Sequence, residues 1–199
     1  MENIIVTKSK LTATKRSLAL AKTGFELMDK KRNILMHEML ARMDVAKKIQ
    51  GEIASVFADA YKSLENANIS FGLIESIADS VEIDNGISIK PRSVIGIEVP
   101  IVTRKEVSLT IPYGLSESNS FVDSAYLDFL KVKDLCVRLA EVENTIYRLA
   151  FAIKKVKNRA NALKNITIPK LEETIRYIQN SLEEKEREDF TRLKLIKKA

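Results

Sequence analysis

The sequence predicts a mainly α protein in which the N- and C-terminal segments form a long antiparallel two-helix coiled coil around a small β-hairpin-containing insert. Two observations predict the helices. From Val132 to Leu163 an apolar residue recurs at alternating three- and four-residue steps: Val132, Leu135, Leu139, Val142, Ile146, Leu149, Ile153, Val156, Ala160 and Leu163. So narrow a stripe on one helix must be buried against another helix. Near the N-terminus a second seam has a positions at Leu11, Leu18, Phe25, Arg32, Met39, Ala46, Ile53, Ala60 and Ala67, with Ala21, Met28, Leu35, Ile49 and Val56 among the d positions. The third observation is a change of composition between them: residues 68–115 hold four of the six Gly and three of the four Pro, amid crowded β-branched residues. The chain therefore divides into a first shaft helix at 1–70, an insert at 71–119 and a second shaft helix at 120–199. Leu18, Phe25, Met28, Leu35, Leu139, Ile146, Leu149 and Ile153 are the predicted heart of the coiled coil.

The first helix begins between Thr7 and Leu11, with Thr7 or Ser9 as its cap, because a hydroxyl there can accept an otherwise orphaned backbone N–H. A helix over roughly residues 8–70 spans about 90 Å at 1.5 Å per residue. Arg32 and Arg42 occupy seam positions, and their charge predicts that they reach outward. Gly24 precedes the core residue Phe25. It is either a tolerated helix glycine, costing about 1 kcal/mol relative to Ala, or a place where a second backbone approaches.

Within the insert, two hairpin registers fit. Val81-Glu82-Ile83-Asp84 and Ile87-Ser88-Ile89 flank Asn85-Gly86, a pair suited to the positive φ angles of a two-residue turn. Alternatively, Ile87–Ile89 pairs with Ile95–Val99 across Pro91-Arg92. A polar loop at 116–119 ends the insert, and helix resumes near Ser120 to Ser124. Pro169 lies inside this last helix and predicts a kink or break near Thr167. The seam also steps eight residues there, from Leu163 to Leu171, before continuing at Ile175, Ile178 and Leu182 and then Phe190, Leu193 and Ile196. We read this slip in the seam as a stutter, which locally unwinds a left-handed supercoil.

Charge is segregated along the chain. Lys/Arg minus Asp/Glu is +6 over residues 1–50, −7 over 51–130 and +7 over 131–199. An antiparallel hairpin brings the two basic segments together, giving one positive and one negative end suited to different partners. No apolar run reaches the ~18 residues of a membrane span. The single Cys136 allows no internal disulfide and fits a reducing, cytosolic setting as an inert thiol.

The sequence offers no catalytic, cofactor-binding or metal-binding constellation. The glycines are too dispersed for a phosphate loop, His37 lacks the second histidine of a zinc helix, and Cys136 has no evident His partner. The basic residues are mixed with acids and follow no zinc-finger or basic-zipper pattern, so a nucleic-acid adaptor, like a static coiled-coil scaffold, is the competing class.

Three blocks carry a resemblance to a known family. The first is Thr7–Leu11 with Lys15–Ala21 and Gly24–Arg32; the second is Arg92–Pro100 followed by Tyr113-Gly114-Leu115; the third is Arg159–Leu163 with Ile168–Ile178 and Glu186–Lys194. Together they resemble the D subunits of the V-type and A-type rotary ATPases. The resemblance implies a non-catalytic central rotor shaft, without cofactor, cytoplasmic and peripheral to the membrane through its complex. It implies as partners the F subunit, the catalytic A and B subunits, and a funnel subunit leading to the membrane ring, with no nucleic acid and no membrane insertion. Phe57, Tyr61, Phe129 and Tyr147, with Leu130, are surplus apolar residues off the seam and are the expected F contact. Leu11, Phe190, Leu193 and Ile196 are the expected shaft tip.

Overall fold

The structure is a computed structural model; it describes residues 5–72, 74–81, 83, 86–104, 112–114 and 118–198. Helix α1 runs unbroken from Lys8 to Phe71, 64 residues. Its start is fixed locally: Thr7 Oγ1 accepts the Lys10 N–H at 3.2 Å, and the Thr7 carbonyl accepts the Leu11 N–H at 3.0 Å. Thr7 is thus the cap, satisfying donors that the first turn cannot pair internally. A short helix α2 (Glu75–Ser80), a two-stranded antiparallel sheet of β1 (Ile87–Val94) and β2 (Ile97–Arg104), and helix α3 (Ser120–Ala162) follow. A π-helical turn at Leu163–Thr167 leads into α4 (Ile168–Lys198).

The chain forms two units, one joining residues up to Ile34 with those from Ile153, the other Leu35–Ala152. In the first, α1 packs against the end of α3, the π turn and α4. Val156, Ala160, Ile175 and Ile178 are buried, and Leu11, Leu18, Ala21, Phe25, Met28, Ile153, Leu163, Leu171 and Leu182 are half-buried. Thr14, at a seam position, is buried with its hydroxyl donating to the Lys10 carbonyl at 2.8 Å, so its polar atom is not left unpaired. Lys22 with Glu172, and Lys8 with Glu186, pair at 2.8 Å each, in the order of an antiparallel pairing.

In the second unit α1 pairs with α3. Leu35, Ala46, Ala60 and Ala67 are buried on α1, and Val122, Ala125, Val132 and Leu149 on α3. Alanines along the α1 side permit a short interaxial distance, because that distance is set by the side chains at the contact. Arg42 is exposed, and Met43 is half-buried beside it. The seam thus steps from Met39 to Met43 and on to Ala46, exchanging an arginine whose charge is costly to bury for an adaptable thioether. Arg32 stays half-buried, paired with Asp29 at 2.7 Å. A satellite core closes the far end of α1, where Ala67, Ile77, Tyr113 and Val122 are buried together with Ile74, Val81 and Tyr126 against them.

The hairpin differs from both sequence registers. β1 and β2 pair from Ile87 with Arg104 to Val94 with Ile97, so the turn is Ile95-Gly96. Pro91 and Arg92 lie inside β1, opposite Pro100 and Val99; glutamate 82, aspartate 84 and asparagine 85 of the Asn-Gly register lie outside the described residues. Both turn residues have positive φ, 54° at Ile95 and 75° at Gly96, which is the twist a two-residue hairpin turn needs. Gly96 accepts this freely, whereas a β-branched residue there is strained by about 1–2 kcal/mol. The proline pair falls where neither residue has to donate across the ladder, since directly opposed pairs alternate between bonded and non-bonded.

Pro169 does not break the helix. The Ile168 N–H reaches back five residues to the Leu163 carbonyl, and Thr167 Oγ1 bonds the Ala162 carbonyl. A π turn holds one extra residue and leaves one carbonyl without a donor where it returns to α geometry, so a residue lacking an N–H is accommodated beside it. The same extra residue absorbs the eight-residue step, and Leu171 returns to the half-buried seam. The stutter is thus resolved by a local π turn.

Candidate functional site

Surfaces, rather than a pocket, carry the chemistry. Among the described residues no group of His, Cys, Asp or Glu is arranged to hold a metal ion, His37 is exposed, and Cys136 is a half-buried free thiol. Among the same residues no helix is long and apolar enough to cross a membrane.

The residues expected at the coiled-coil heart lie as follows. Leu35 and Leu149 are buried to 0% and 1% exposure, while Leu18, Phe25, Met28, Leu139, Ile146 and Ile153 are half-buried. Phe25 also receives the Lys164 ammonium over its ring, 5.9 Å from the centroid, a favourable cation–π placement. Gly24 faces this region, and a Cβ built on it would meet only Leu163 Cδ1 at 3.9 Å. The neighbour is a side chain at ordinary contact distance, not a second backbone.

Three of the four residues expected to meet the F subunit come together. The Phe57 and Tyr61 rings stack with centroids 6.1 Å apart, one turn apart on α1, and Phe129 of α3 meets Tyr61 edge-on at 5.7 Å. Tyr61 is 58% exposed, an amphipathic aromatic facing solvent. Leu130 is half-buried alongside. Tyr147, 73% exposed, shares a face of α3 with Phe129 because eighteen residues make five turns, but it lies about 27 Å along the axis and is separate from the cluster. Beside the aromatics, Asp128 accepts from Lys131 Nζ at 2.9 Å and from the Ser63 hydroxyl at 2.7 Å. These two donors, Lys131 foremost, hold its carboxyl below the usual range.

The far end of the insert is knit by Tyr113, whose hydroxyl donates to Asp123 at 2.6 Å while its ring meets Tyr126 edge-on. Burial, then the Asp123 carboxylate, pushes the phenol well above its ordinary value. Asn119 caps α3, its Oδ1 accepting the Phe121 and Val122 N–H groups at 3.1 Å each. An Asn just before an apolar-periodic run is the sequence signal for this cap.

At the expected tip, Leu11 is half-buried and Phe190, Leu193 and Ile196 are exposed, with Lys194 Nζ 4.9 Å from the Phe190 ring centroid. Seam periodicity missed a further row: Leu20, Leu27 and Ile34 on α1 are exposed by half or more at seven-residue intervals. Arg16, Lys30 and Lys31 flank them at helical neighbour spacing. An apolar count off the a and d positions would have found this row.

Residues 10–198 match the family model described as the D subunit of ATP synthase. The chain is 42% identical over 197 residues to the V-type ATP synthase D subunit of Thermotoga neapolitana, covering 98% of this chain and 97% of that protein. It is 36% identical to the A-type ATP synthase D subunit of Thermococcus kodakarensis over 200 residues, covering 98% and 94% of the two chains. The corresponding protein of Pyrococcus horikoshii is also 36% identical, over 196 residues covering 96% of this chain and 92% of its own. With the family model spanning both long helices and the insert, the chain belongs to the ATP synthase D-subunit family.

Proposed function

We propose that this chain is the non-catalytic central-stalk shaft of a V/A-type ATPase, turning within the catalytic A/B hexamer and passing torque to the membrane ring through a funnel subunit. The observation that carries the reading is the antiparallel pairing of α1 with the C-terminal helical segments in both units. A helix of 64 unbroken residues, braced by a second along its apolar seam, resists bending and twisting better than a single strand of chain. The exposed row at Leu20, Leu27 and Ile34 with its basic flanks supports contact with hexamer surfaces that carry apolar groups and acidic rims. Screened surface charges of this kind are individually weak, as contacts exchanged at every rotational step need to be.

The aromatic group of Phe57, Tyr61 and Phe129 is the proposed F-subunit contact, with Tyr147 extending it along α3. The test is co-purification and reconstitution with A, B and F subunits. Assembly and coupled ATP turnover that depend on this chain support the shaft; a homodimer or monomer that ignores those subunits, or that retains nucleic acid, supports a static scaffold or adaptor. Phe57→Ser with Tyr61→Ser is expected to weaken an F pull-down by about tenfold, the range of a loss of 1–2 kcal/mol at an aromatic contact, with unchanged helical circular dichroism. Undiminished binding places the F contact elsewhere.

A further inference from the structure

The hairpin meets α3 along the outer edge of β2, and the contacts fall in one row. Asp134, Glu141 and Arg148 are seven residues apart and so lie on one stripe of α3. Asp134 pairs with Arg104, the Glu141 carboxylate accepts the Val102 N–H at 3.4 Å, and Arg148 donates to the Glu98 carbonyl at 3.0 Å. The two spacings match. Six residues of extended chain from Glu98 to Arg104 cover about 20 Å, and fourteen residues of helix from Asp134 to Arg148 cover about 21 Å. The hairpin lies alongside α3, its tip toward Arg148.

The attachment is polar. Of both strands only Val99 is buried, at 4% exposure, and β1 is exposed along nearly its whole length. The row on α3 is also distinct from the Val132–Leu139–Ile146 seam that packs on α1. We propose that the β1–β2 hairpin is a releasable arm, latched to α3 by Asp134, Glu141 and Arg148, which leaves the helix as an intact hairpin while the helix pairing stays closed. Release uncovers Val99 and the acidic-basic row of α3 together, so one surface of the second unit alternates between covered and open. Pro91, midway along the unpaired edge of β1, lacks an N–H and keeps the free arm from recruiting another strand.

The ladder supplies its own reporters. Val99, Ile101 and Thr103 alternate with Val102 along β2 and send their N–H groups to β1, whereas Val102 sends its own to Glu141. Amide exchange of the full chain, read by nuclear magnetic resonance as salt rises from about 0.1 M to about 1 M, shortens the screening length from about 10 Å to about 3 Å. The expected result is about tenfold faster exchange at Val102 with protection kept at Val99, Ile101 and Thr103, and unchanged helical circular dichroism. Arg148→Ala and Asp134→Asn each produce the same selective acceleration at low salt, and Arg148→Lys, which keeps a cationic donor, restores protection. Acceleration of all four amides together overturns the proposal, since the hairpin then melts in place. A Val102 amide indifferent to salt and to both substitutions overturns it equally, because docking then does not rest on the latch.

Discussion

Gly24 shows how a single position separates a packing requirement from an inherited cost. It lies in the interior of α1, half-buried, with room for a methyl group at 3.9 Å from Leu163 Cδ1. Nothing in its surroundings requires a glycine, so Gly24→Ala is expected to stabilise the chain by about 1 kcal/mol through helix propensity and reduced freedom of the unfolded chain. Thermal and denaturant unfolding of the variant checks this; a loss of stability would mean that Leu163 cannot share the space. The sequence alone left Gly24 open because spacing reports which face a residue is on, not what stands opposite. Residue-scale chemistry was legible where it is local, as at Thr7, whose hydroxyl and carbonyl start α1. It was not legible at Ile95, whose positive φ of 54° contradicts the preference of a β-branched side chain. The observed hairpin turn falls at Ile95-Gly96, where the pairing of β1 with β2 overrode the local preference of Ile95.

Elements were legible in proportion to their periodicity. The seam of α3 is half-buried or buried at every position from Val132 to Leu163, because a stripe of apolar groups at helical spacing has one way to leave water. Ile146→Asp tests it. A carboxylate placed in that seam must be desolvated or must part the helices, and the expected outcome is a loss of several kcal/mol, read as a large fall in melting temperature and ellipticity. The turn before α4 was only half legible. Pro169 and the eight-residue step were visible, but a kink and a π turn are alternative answers to the same two facts. If the π turn accommodates both, deleting the exposed Ile166 removes the extra residue, restores a seven-residue step and leaves Pro169 inside regular α-helix. That deletion is expected to cost about 3 kcal/mol, the penalty of an interior proline, and Pro169→Ala in the same variant is expected to recover most of it. Calorimetry of the single and double variants distinguishes this from a proline that is harmless in either setting.

For the whole molecule, the C-terminal end of α4 is one place where exposed apolar side chains and cations occur together and packing is thin. The last ion pair to α1 along this helix, among the described residues, is Glu186 with Lys8 at 2.8 Å, and α4 continues to Lys198. In that stretch Phe190, Leu193, Leu195 and Ile196 are exposed among Arg192, Lys194 and Lys197. A helix that kept these residues only for stability would bury them, as it buries Ile175 and Ile178 farther back. Exposed apolar groups interleaved with cations suit the brief, weakly held contacts with acidic, partly apolar surfaces that the proposed shaft requires. Residues 191–197 are all exposed, so deleting residues 191–199 removes these surface side chains rather than the described core. Helicity of the remaining chain is expected to fall only by the residues deleted, and F binding is expected to persist, since Phe57, Tyr61 and Phe129 belong to the other unit. Assembly with the A/B hexamer, or ATP turnover in the assembled complex, is expected to drop by about tenfold, the loss of a contact worth about 1.4 kcal/mol. Sedimentation of the reconstituted complex and its turnover rate measure both. Full assembly with full turnover after the deletion would assign the exposed end no part in the proposed hexamer contact and leave the row at Leu20, Leu27 and Ile34 to carry it.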